Sequence, residues 1–462
     1  MAISRTCNRK GLLIFRYNLR VQDNLALRRL MKSVEHLDSV FVIDPLWIQG
    51  DGGTSMPTRH GYRPKMGEHR KRFLWQSLYD LREQLEKRGS TLTLMTGDFV
   101  QSVALMLTRG AYGHVGLTDH PGHYEQQQLA QLRQRFSGVT WHITEDFTLF
   151  REEQLPFELC DLPGTFSQFR KRVEGLLPDR PRDILGALPP RPRFSGAFSD
   201  PVTDQKLVQA LIRWQRHAPE DESIRGMLGG ESSALDQLNG YIHGNGAIRH
   251  YKETRNELYG WSFSSKLSPW LAQGCLSPRL VYHEVLRHED RFGRNESTQW
   301  LLVELLWREY FQWMAKAHGA RMFRLRGIQG INPLQTFYPE GFMAWREGNT
   351  NSRFVNAFMK QLKTTGWMSN RGRQVVASYL VNELGIDWRY GAAWFEEMLI
   401  DYDCASNWGN WQYLAGVGAD PRGKRRFNID KQQAQYDPDG RFVDFWLADD
   451  DQRHAAGYAG SL

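Results

Sequence analysis

The sequence predicts two folded regions of different class, an α/β domain built on a doubly wound parallel sheet and an all-α domain. Over residues 1–140, short apolar runs alternate with amphipathic helical runs, which is typical of a parallel sheet with crossover helices. Beyond Gln205 the strand patterns almost vanish and apolar residues recur every three or four positions. At 462 residues the chain is also too long for one ordinary core.

The elements of the α/β domain are predicted from buried apolar runs and the helices between them. The predicted strands are Leu12–Phe15, Val40–Ile43, Thr91–Met95 and His114–Thr118, and the predicted helices are Phe73–Lys87 and Phe99–Arg109. No G-x-G-x-x-G motif follows a strand, so nothing favours an ordinary dinucleotide site.

A change of composition separates the two regions. Residues 141–204 are rich in Pro, Arg and Gly and are predicted to be a long surface linker, with a short helix at Phe166–Val173. Residues 205–420 are predicted to form the helical domain. The tail, residues 421–462, is polar and is predicted to pack on that domain as irregular structure.

The composition limits the partners, the cellular compartment and the kinds of site to be expected. Lys and Arg exceed Asp and Glu and give a net charge of +7, which fits either a solvated basic surface or a phosphate-rich partner. The four cysteines, Cys7, Cys160, Cys275 and Cys404, are scattered, which favours reduced thiols and a cytoplasmic protein. No run is long enough to predict a signal peptide or a membrane span, and no carboxylate or His cluster predicts a metal site.

The stretch Gly366–Tyr413 carries an unusual set of polar and indole side chains between apolar helices. Helix capping explains one such polar residue but not all of them together. The set suits a large, flat ligand with polar edges, held between helices. Its members are Asn370, Arg373, Gln374, Asp401, Asp403 and Asn407, together with Trp367, Trp388, Trp408 and Trp411.

Two motifs in this stretch, Trp367–Gln374 and Ser406–Tyr413, closely resemble the flavin-binding core of the photolyase/cryptochrome family, and within it the DASH-type cryptochromes. Leu13–Arg20 resembles the N-terminal signature of the same family. The resemblance extends over nearly the whole chain. It implies FAD in the centre of the helical domain.

The resemblance implies a set of FAD contacts. Arg373 and Asp401 match an ion pair beside the isoalloxazine ring, Asn407 matches the residue facing flavin N5, and Ser264–Ser268 matches the turn that binds the pyrophosphate. Simple helix capping by these serines and by Asn407 is the alternative. The full set is Tyr251, Arg255, Ser264, Ser265, Lys266, Leu267, Ser268, Arg308, Asn370, Arg373, Asp401, Tyr402, Asp403 and Asn407.

Further residues match the family's pocket for damaged bases. Glu304 and Trp307, three residues apart, share a helix face, and they match the acid and the aromatic wall of that pocket. Asn370, Gln374 and Tyr413 match the opposite rim, and Gln374 and Tyr413 stand where many duplex-active photolyases have Met and Trp. A solvated Glu304 and a core Trp307 are the ordinary alternatives.

Trp411 and Trp388 match the inner two members of the family's electron-transfer chain of tryptophans. The third is expected ten residues before Trp345, where Gln335 stands, and Phe337 or Tyr338 could lie near it. Ordinary packing of both tryptophans is the alternative.

Two further assignments concern an antenna and DNA. Glu125 lies where some relatives hold 5,10-methenyltetrahydrofolate as an antenna, although a charge at a helix start is the simpler interpretation. Candidate DNA contacts are Arg371, Arg321, Arg324 and Arg326.

Taken together, the resemblance implies a monomeric, light-driven enzyme that repairs cyclobutane pyrimidine dimers, preferably in single-stranded DNA, with RNA as a further candidate partner. A blue-light photoreceptor is the first alternative. A (6-4) photoproduct photolyase is disfavoured, because those enzymes resemble one another in having a His pair near the position of Asn370, where this sequence has Ser369-Asn370. A nucleic-acid-binding protein without activity would leave the FAD residues unexplained.

Overall fold

A computed structural model describes residues 9–48, 66–184, 186–192, 226–420 and 425–448. The predicted boundary between residues 204 and 205 lies outside the described residues, as do Cys7 and both ends of the chain. Among the described helices, none combines the length and the apolar character needed to cross a bilayer.

The N-terminal region contains a five-stranded parallel sheet with the strand order β3-β2-β1-β4-β5. The central strand carries the run Leu12-Leu13-Ile14-Phe15, which is buried on both faces, as parallel strands covered by helices require. The strands are β1 Lys10–Phe15, β2 His36–Ile43, β3 Thr93–Thr96, β4 His114–Thr118 and β5 Thr140–Thr144.

Six helices accompany the sheet and the segment that follows it. They are α1 Leu25–Met31, α2 Pro45–Ile48, α3 Glu68–Glu86, α4 Phe99–Gly110, α5 His123–Arg135 and α6 Phe166–Val173. Short 3-10 turns occupy Glu152–Gln154 and Leu159–Asp161. The prediction of a doubly wound α/β domain is confirmed.

Described residues beyond 226 form helices, with no strand among them, which confirms the all-α class. The helices are α7 Glu231–Asn239, α8 Tyr251–Thr254, α9 Ser268–Gln273, α10 Pro278–Phe292, α11 Glu296–His318, α12 Pro339–Glu347, α13 Arg353–Thr365, α14 Asn370–Ser378, α15 Trp388–Met398, α16 Cys404–Ala415, α17 Ile429–Tyr436 and α18 Arg441–Leu447. Ala247–His250 and Gly319–Phe323 are 3-10 turns, and Gly240–Gly244 and Tyr379–Glu383 are π-turns.

Two sequence interpretations were wrong in detail. The described part of the tail is helical rather than irregular, and Phe442 of α18 packs against Phe358 of α13 with ring centroids 4.6 Å apart. The segment predicted to be a surface linker is also packed, because Phe169 and Val173 of α6 are fully buried. Apolar residues spaced along a short amphipathic helix outweigh the Pro-rich composition around it.

Buried charges join the sheet region to the helical region. Arg279 of α10 donates to Asp23 with 2.9 Å between Nε and Oδ2, and its side chain is 3% exposed. Its Nη1 atom also donates to the carbonyl of Glu145 at 3.0 Å. Arg20 lies beside Asp146, 3.7 Å away, and donates to the carbonyl of Gly274. The two arginines and the two aspartates form one interdomain network.

Two buried glutamates of the helical region make a second type of link. Glu231 accepts from the backbone N–H groups of Val21 and Gln22 at 2.8 and 2.7 Å. Glu309 of α11 accepts from the N–H groups of Leu149 and Phe150. Burial raises the pKa of each carboxyl to about 7, although these hydrogen bonds oppose the shift.

We expect Asp23→Ala to lower the free energy of unfolding by about 3–5 kcal/mol, because it leaves the guanidinium of Arg279 buried without its carboxylate. The measurement is urea denaturation followed by circular dichroism. Glu35→Ala is the matched control, since it breaks an ion pair with Arg9 in which both side chains are more than half exposed. That control should cost no more than about 1 kcal/mol. Equal losses in the two variants would contradict a structural role for the network.

Candidate functional site

The helical region encloses a cavity of about 490 Å³. It lies between α8, α9, α11, α14 and α16, and a volume of this order is typical of cofactor sites. Most of the residues predicted for the site line it together: Tyr251, Arg255, Ser264, Ser265, Lys266, Leu267, Ser268, Glu304, Trp307, Arg308, Asn370, Arg371, Arg373, Gln374, Asp401, Tyr402, Asp403, Asn407, Trp411 and Tyr413.

Six residues that the sequence analysis singled out lie outside the cavity wall. Trp408 is partly exposed. Trp388 is fully buried in the core. Glu125 belongs to the first turn of α5 in the sheet region. Arg321, Arg324 and Arg326 are exposed in and just after the 3-10 turn that follows α11.

An ion pair stands at one side of the cavity. Arg373 donates from Nη2 to Asp401 Oδ2 at 2.8 Å, and Ser268 donates to the same oxygen at 2.7 Å. The other oxygen of Asp401, Oδ1, is buried and has no hydrogen-bond partner among the described residues. A buried acceptor without a donor is costly in a folded protein. A donor group of a bound ligand would satisfy it.

A second carboxylate is held firmly at the start of α16. Asp403 is the N-cap of that helix and accepts from Ser406 N at 2.8 Å. Gln312 donates to both of its oxygens at 2.9 Å, and Arg308 lies 3.4 Å away. Asn407 lies inside the helix and donates to the carbonyl of Ala392 at 3.0 Å. The alternative in which Asn407 caps a helix was therefore wrong.

The Ser264–Ser268 turn brings a lysine into the cavity wall. Lys266 is buried, has φ +55°, and lies over the rings of Phe263 and Trp367 at 3.2 and 4.1 Å. Burial, and then the charge of Arg373, lower the pKa of Lys266 well below its ordinary value. The N-cap of α9 is Leu267, which makes no side-chain cap, so the capping alternative for these serines was also wrong. A bound anion would favour the charged form of this lysine.

Glu304 and Arg255 meet across the cavity wall. Arg255 Nη1 donates to Glu304 Oε1, and Trp300 Nε1 donates to the same oxygen at 3.0 Å. Burial raises the pKa of Glu304, while Arg255 and Trp300 oppose the shift. The sequence assigned Arg255 to the cofactor and Glu304 to the substrate, and the structure places them side by side.

Aromatic side chains form another part of the cavity lining. Trp307 stacks on Phe166 with ring centroids 3.7 Å apart and planes 13° apart, and it meets Tyr413 edge to face at 6.1 Å. Arg425 lies over the ring of Tyr413 at 4.6 Å. Each ring is thus held in place by a neighbour.

The start of α14 supplies the residues that the sequence analysis assigned to the rim opposite Glu304 and Trp307. Ser369 caps this helix, and Asn370 is its exposed first residue. Gln374 accepts from Arg371 at 3.0 Å, and Arg371 also donates to Gln432 of α17 at 3.1 Å. Arg371, predicted as a DNA contact, is therefore half-buried and joins α14 to the tail.

Comparison with known proteins bears on both parts of the chain. The family description "DNA photolyase" matches residues 12–189, and "FAD binding domain of DNA photolyase" matches residues 300–455. Cryptochrome DASH of Idiomarina loihiensis is 48% identical over 441 residues, which is 96% of this chain and 93% of the relative. The chain belongs to the photolyase/cryptochrome family, in its DASH branch.

Other members of the family show the same relationship. Cryptochrome DASH of Synechocystis is 39% identical over 94% of this chain and 87% of its own length. The crystal structure of the Synechocystis cryptochrome superposes with a TM-score of 0.85 and 37% identity, covering 95% of this chain and 88% of that one. A class III photolyase from Agrobacterium tumefaciens gives a TM-score of 0.77 at 26% identity, over 96% and 88% of the two chains.

The residues that line the cavity fit FAD. Arg255, Lys266, Arg308 and Arg373 supply positive charge for a diphosphate, and the unpartnered Oδ1 of Asp401 supplies a buried acceptor. In the part of the chain that the structure describes, no group of three or more His, Cys, Asp or Glu could hold a metal ion. The family model for an FAD-binding domain matches residues 300–455, which supply part of the cavity lining, including Arg308, Arg373 and Asp401.

Glu125, predicted to contact an antenna, is in a buried cluster of the sheet region. It accepts from the hydroxyl of Tyr17 at 3.1 Å, and Tyr17 stacks on His120 with centroids 4.0 Å apart. Burial alone would raise the pKa of Glu125, but His120 and Arg16 outweigh it and the pKa is lowered. Glu125 is thus more than an exposed helix-start charge, and its contact with a folate stays a prediction.

Three residues that make the contacts described above were not among those predicted from the sequence. Trp300 is one helical turn before Glu304, so the 3.6-residue period of α11 could have indicated it. Phe166 and Arg425 come from distant segments. No local pattern in the sequence predicts either contact.

We expect Asp401→Ala to weaken FAD retention by about tenfold or more, or about 1.4 kcal/mol, because it removes the partner of Arg373 and the unpartnered acceptor together. The measurement is the flavin-to-protein ratio from the absorption spectrum after gel filtration. Glu383→Ala is the control, since it breaks an ion pair with Arg426 away from the cavity. Normal flavin content in Asp401→Ala would show that the cofactor lies elsewhere.

Proposed function

We propose that the protein is a light-dependent, photolyase-type flavoprotein that repairs cyclobutane pyrimidine dimers and prefers them in single-stranded DNA. One observation carries the proposal. A single cavity holds both a cationic, carboxylate-edged cradle suited to FAD and a wall of Trp307 and Tyr413 with Glu304, Asn370 and Gln374 around it. A stacking surface beside polar groups suits a flat pair of bases.

The cradle has distinct parts for distinct ends of the cofactor. The Ser264–Ser268 turn, Tyr251 and Arg255 would hold the diphosphate, and Arg373, Asp401, Asp403 and Asn407 would hold the isoalloxazine edge. When bound and reduced, FAD supplies on illumination the electron that opens the cyclobutane ring and receives it back afterwards. The protein contributes binding, orientation and electrostatics.

The substrate side is built to hold a lesion rather than to react with it. Phe166 covers one face of Trp307, so the indole is held in place beside the cavity. Both hydrogen bonds that Glu304 accepts among the described residues end on Oε1, which leaves Oε2 for a pyrimidine edge. Because burial raises the pKa of Glu304, its carboxyl is also better able to donate a proton in a hydrogen bond than an exposed one.

The preference for single strands follows from the energy of extracting a lesion. A dimer in a duplex must be unstacked and flipped out, which costs a few kcal/mol. Here Tyr413 offers less stacking area than the Trp of many duplex-active relatives, and Gln374 must be desolvated where Met need not be. Gln374 is also bonded to Arg371, so a lesion that needed its amide would compete with that bond. A loss of about 1.4 kcal/mol in the free energy of binding to the lesion would already weaken binding tenfold.

We expect efficient light-dependent repair of a dimer in a single-stranded or looped-out site and poor repair in an intact duplex. The assay compares the same oligonucleotide in both forms, with chemically reduced protein, in light and in darkness. Equal repair of the two forms would contradict the preference. Repair of neither form would favour a photoreceptor instead.

The double variant Gln374→Met, Tyr413→Trp should reduce the difference in repair between single-stranded and duplex substrates. The two substitutions restore stacking area and remove a polar group from the pocket. The matched control is Gln432→Met, which removes another of the hydrogen bonds that Arg371 donates, at a position outside the cavity. If the control narrows the gap as much, the effect comes from Arg371 rather than from the pocket.

Binding of single-stranded DNA should weaken as salt rises, since phosphate contacts release counterions. Arg324 and Arg326 are exposed just after the 3-10 turn Gly319–Phe323, and Gln412 of α16 donates to the carbonyl of Arg321 in that turn. Replacing Arg324 and Arg326 with Ala should reduce the slope of log K against log salt by about 1–2. The measurement is fluorescence anisotropy of a labelled oligonucleotide, with an unlabelled RNA as a competitor. A slope near zero in the unaltered protein would exclude nucleic acid as a partner.

A further inference from the structure

The electron route predicted from Trp411 and Trp388 ends inside the protein. Trp411 lines the cavity, and Trp388 is 0% exposed. At the position predicted for an outer tryptophan, Gln335 accepts from the backbone N–H of Trp388 at 3.1 Å. An amide side chain is far harder to oxidise than an indole. A reductant in solution therefore needs another side chain through which to reach Trp388.

Trp408 lies next to Trp388 and reaches the surface. The two ring centroids are 5.7 Å apart with planes at 76°, and Trp408 is partly exposed. Trp408 and Trp411 are three residues apart on α16, so they project from neighbouring turns of one helix. Gly391 lies one turn after Trp388 on α15, and a Cβ at this position would collide with the Trp411 ring. The three indoles thus lie where α15 and α16 pack closely.

The other aromatic path from the cavity does not offer the same continuation. Trp345 lies 6.3 Å from Trp411, but it is fully buried. Its further ring neighbours in the described part of the chain are Phe342 and Phe395, at 6.0 and 6.3 Å. Phenylalanine is much harder to oxidise than tryptophan. An electron vacancy passed to Trp345 would have no easily oxidised neighbour toward solvent.

The hydrogen bonds of the two outer indoles differ in a way that gives the route a direction. Trp388 donates its Nε1 proton to the carbonyl of Leu325 at 3.1 Å, and a carbonyl is a weak base. Trp408 Nε1 faces Oε2 of Glu396 at 3.4 Å and the hydroxyl of Tyr402 at 3.2 Å. An indole that has lost an electron is strongly acidic at this N–H, so only the Trp408 proton has a carboxylate ready to receive it.

The surroundings of Glu396 keep it in place. Burial raises the pKa of its carboxyl, and the charge of Arg70 and the hydrogen bonds from Tyr402 and Trp408 oppose the shift. Arg70 donates to the backbone carbonyl of Glu396 and lies over the ring of Tyr402 at 4.7 Å. The base that faces Trp408 is therefore fixed by both the sheet-side helix α3 and the helical region.

We propose that Trp408 is the outer electron-transfer residue of this protein, with Glu396 as its proton acceptor. The inference rests on the proposed function, since it requires photoreduction of bound FAD. Trp411 loses one electron to the light-excited oxidised cofactor, Trp388 refills Trp411, and Trp408 refills Trp388. Trp408 then gives its Nε1 proton to Glu396. A thiolate in solution then returns one electron to Trp408 while Glu396 returns the proton, so that one pass leaves one thiol radical. Two such passes deliver two electrons, and the two thiol radicals combine to a disulfide.

The first test is flavin photoreduction with a thiol donor. Trp408→Phe should lower its rate by about tenfold or more, whereas Trp408→Tyr, which keeps an oxidisable ring, should lower it less. Trp345→Phe is the matched control, because it removes a tryptophan that lies 6.3 Å from Trp411 on the path without a continuation, and its rate should stay near that of the unaltered protein. Photoreduction of Trp408→Phe at the unaltered rate would overturn the proposal.

A second test reads the residue directly and needs no variant. Illumination in oxygen without thiol should leave oxidised tryptophan at position 408 and not at position 345, as read by peptide mass spectrometry. No oxidation at Trp408 would overturn the proposal.

A third test concerns the proton acceptor. In Glu396→Gln, transient absorption should show the protonated indole radical for longer, since the acceptor is gone. An unchanged signal would overturn the role of Glu396.

The results of these photoreduction tests can be distinguished from the results of the repair assay. Dimer repair by chemically reduced Trp408→Phe should match that of the unaltered protein, because repair starts from reduced flavin. If no dimer is repaired but photoreduction still depends on Trp408, the repair function fails and the electron route stands. If repair proceeds and photoreduction does not depend on Trp408, the opposite holds.

Discussion

The buried charges between the two regions are the constraint on which the rest of the structure depends. Arg279, Glu231 and Glu309 project from three helices, and each bonds to backbone or carboxylate groups of the sheet region. A buried charge that loses its partners is strongly destabilising, so these contacts permit one arrangement of the two regions and penalise others. Helix α11 carries both Glu309, which faces the sheet region, and Glu304 with Trp307, which face the cavity. The position of the cavity wall is thus tied to interdomain packing.

Within the cavity the balance of charge points to an anionic ligand. Lys266, Arg308 and Arg373 line the cavity, burial lowers the pKa of both Lys266 and Arg308, and the charge of Arg373 lowers the pKa of Lys266 further. Asp401 and Asp403 are the carboxylates that oppose them. A ligand that brings negative charge relieves this repulsion. Binding should therefore stabilise the folded protein as well as equip it for chemistry.

The two fold classes and the location of the cavity could be predicted from the sequence, because the patterns that indicate them lie within short stretches of the chain. The apolar run of β1 and the three- and four-residue spacing of the later helices suffice for the two fold classes. The motifs around Arg373 and Asn407 locate the cavity. The capping alternative for Asn407 was wrong because Asp403, four residues earlier, already fills the N-cap position. That choice depends on where the helix begins, which sequence sets only to within a few residues.

Contacts between distant segments could not be predicted in this way. The stacking of Phe166 on Trp307 joins residues 141 positions apart, and Trp408 meets Trp388 across two helices. The burial of α6 depends on a surface that exists only once α11 has formed. The same holds for Arg371, whose partners Asn256 and Gln432 lie on either side of it in the chain.

The stacking of Phe166 on Trp307 has a consequence for engineering within the family. Phe166 precedes the helical region by a long stretch of chain, yet it supports one wall of the cavity. A chimaera that joined another member's N-terminal part to this helical part would change the backing of Trp307. An isolated helical fragment would leave that indole face open to water. The cavity therefore cannot be transplanted as a module, and exchange points should be chosen on the N-terminal side of Phe166.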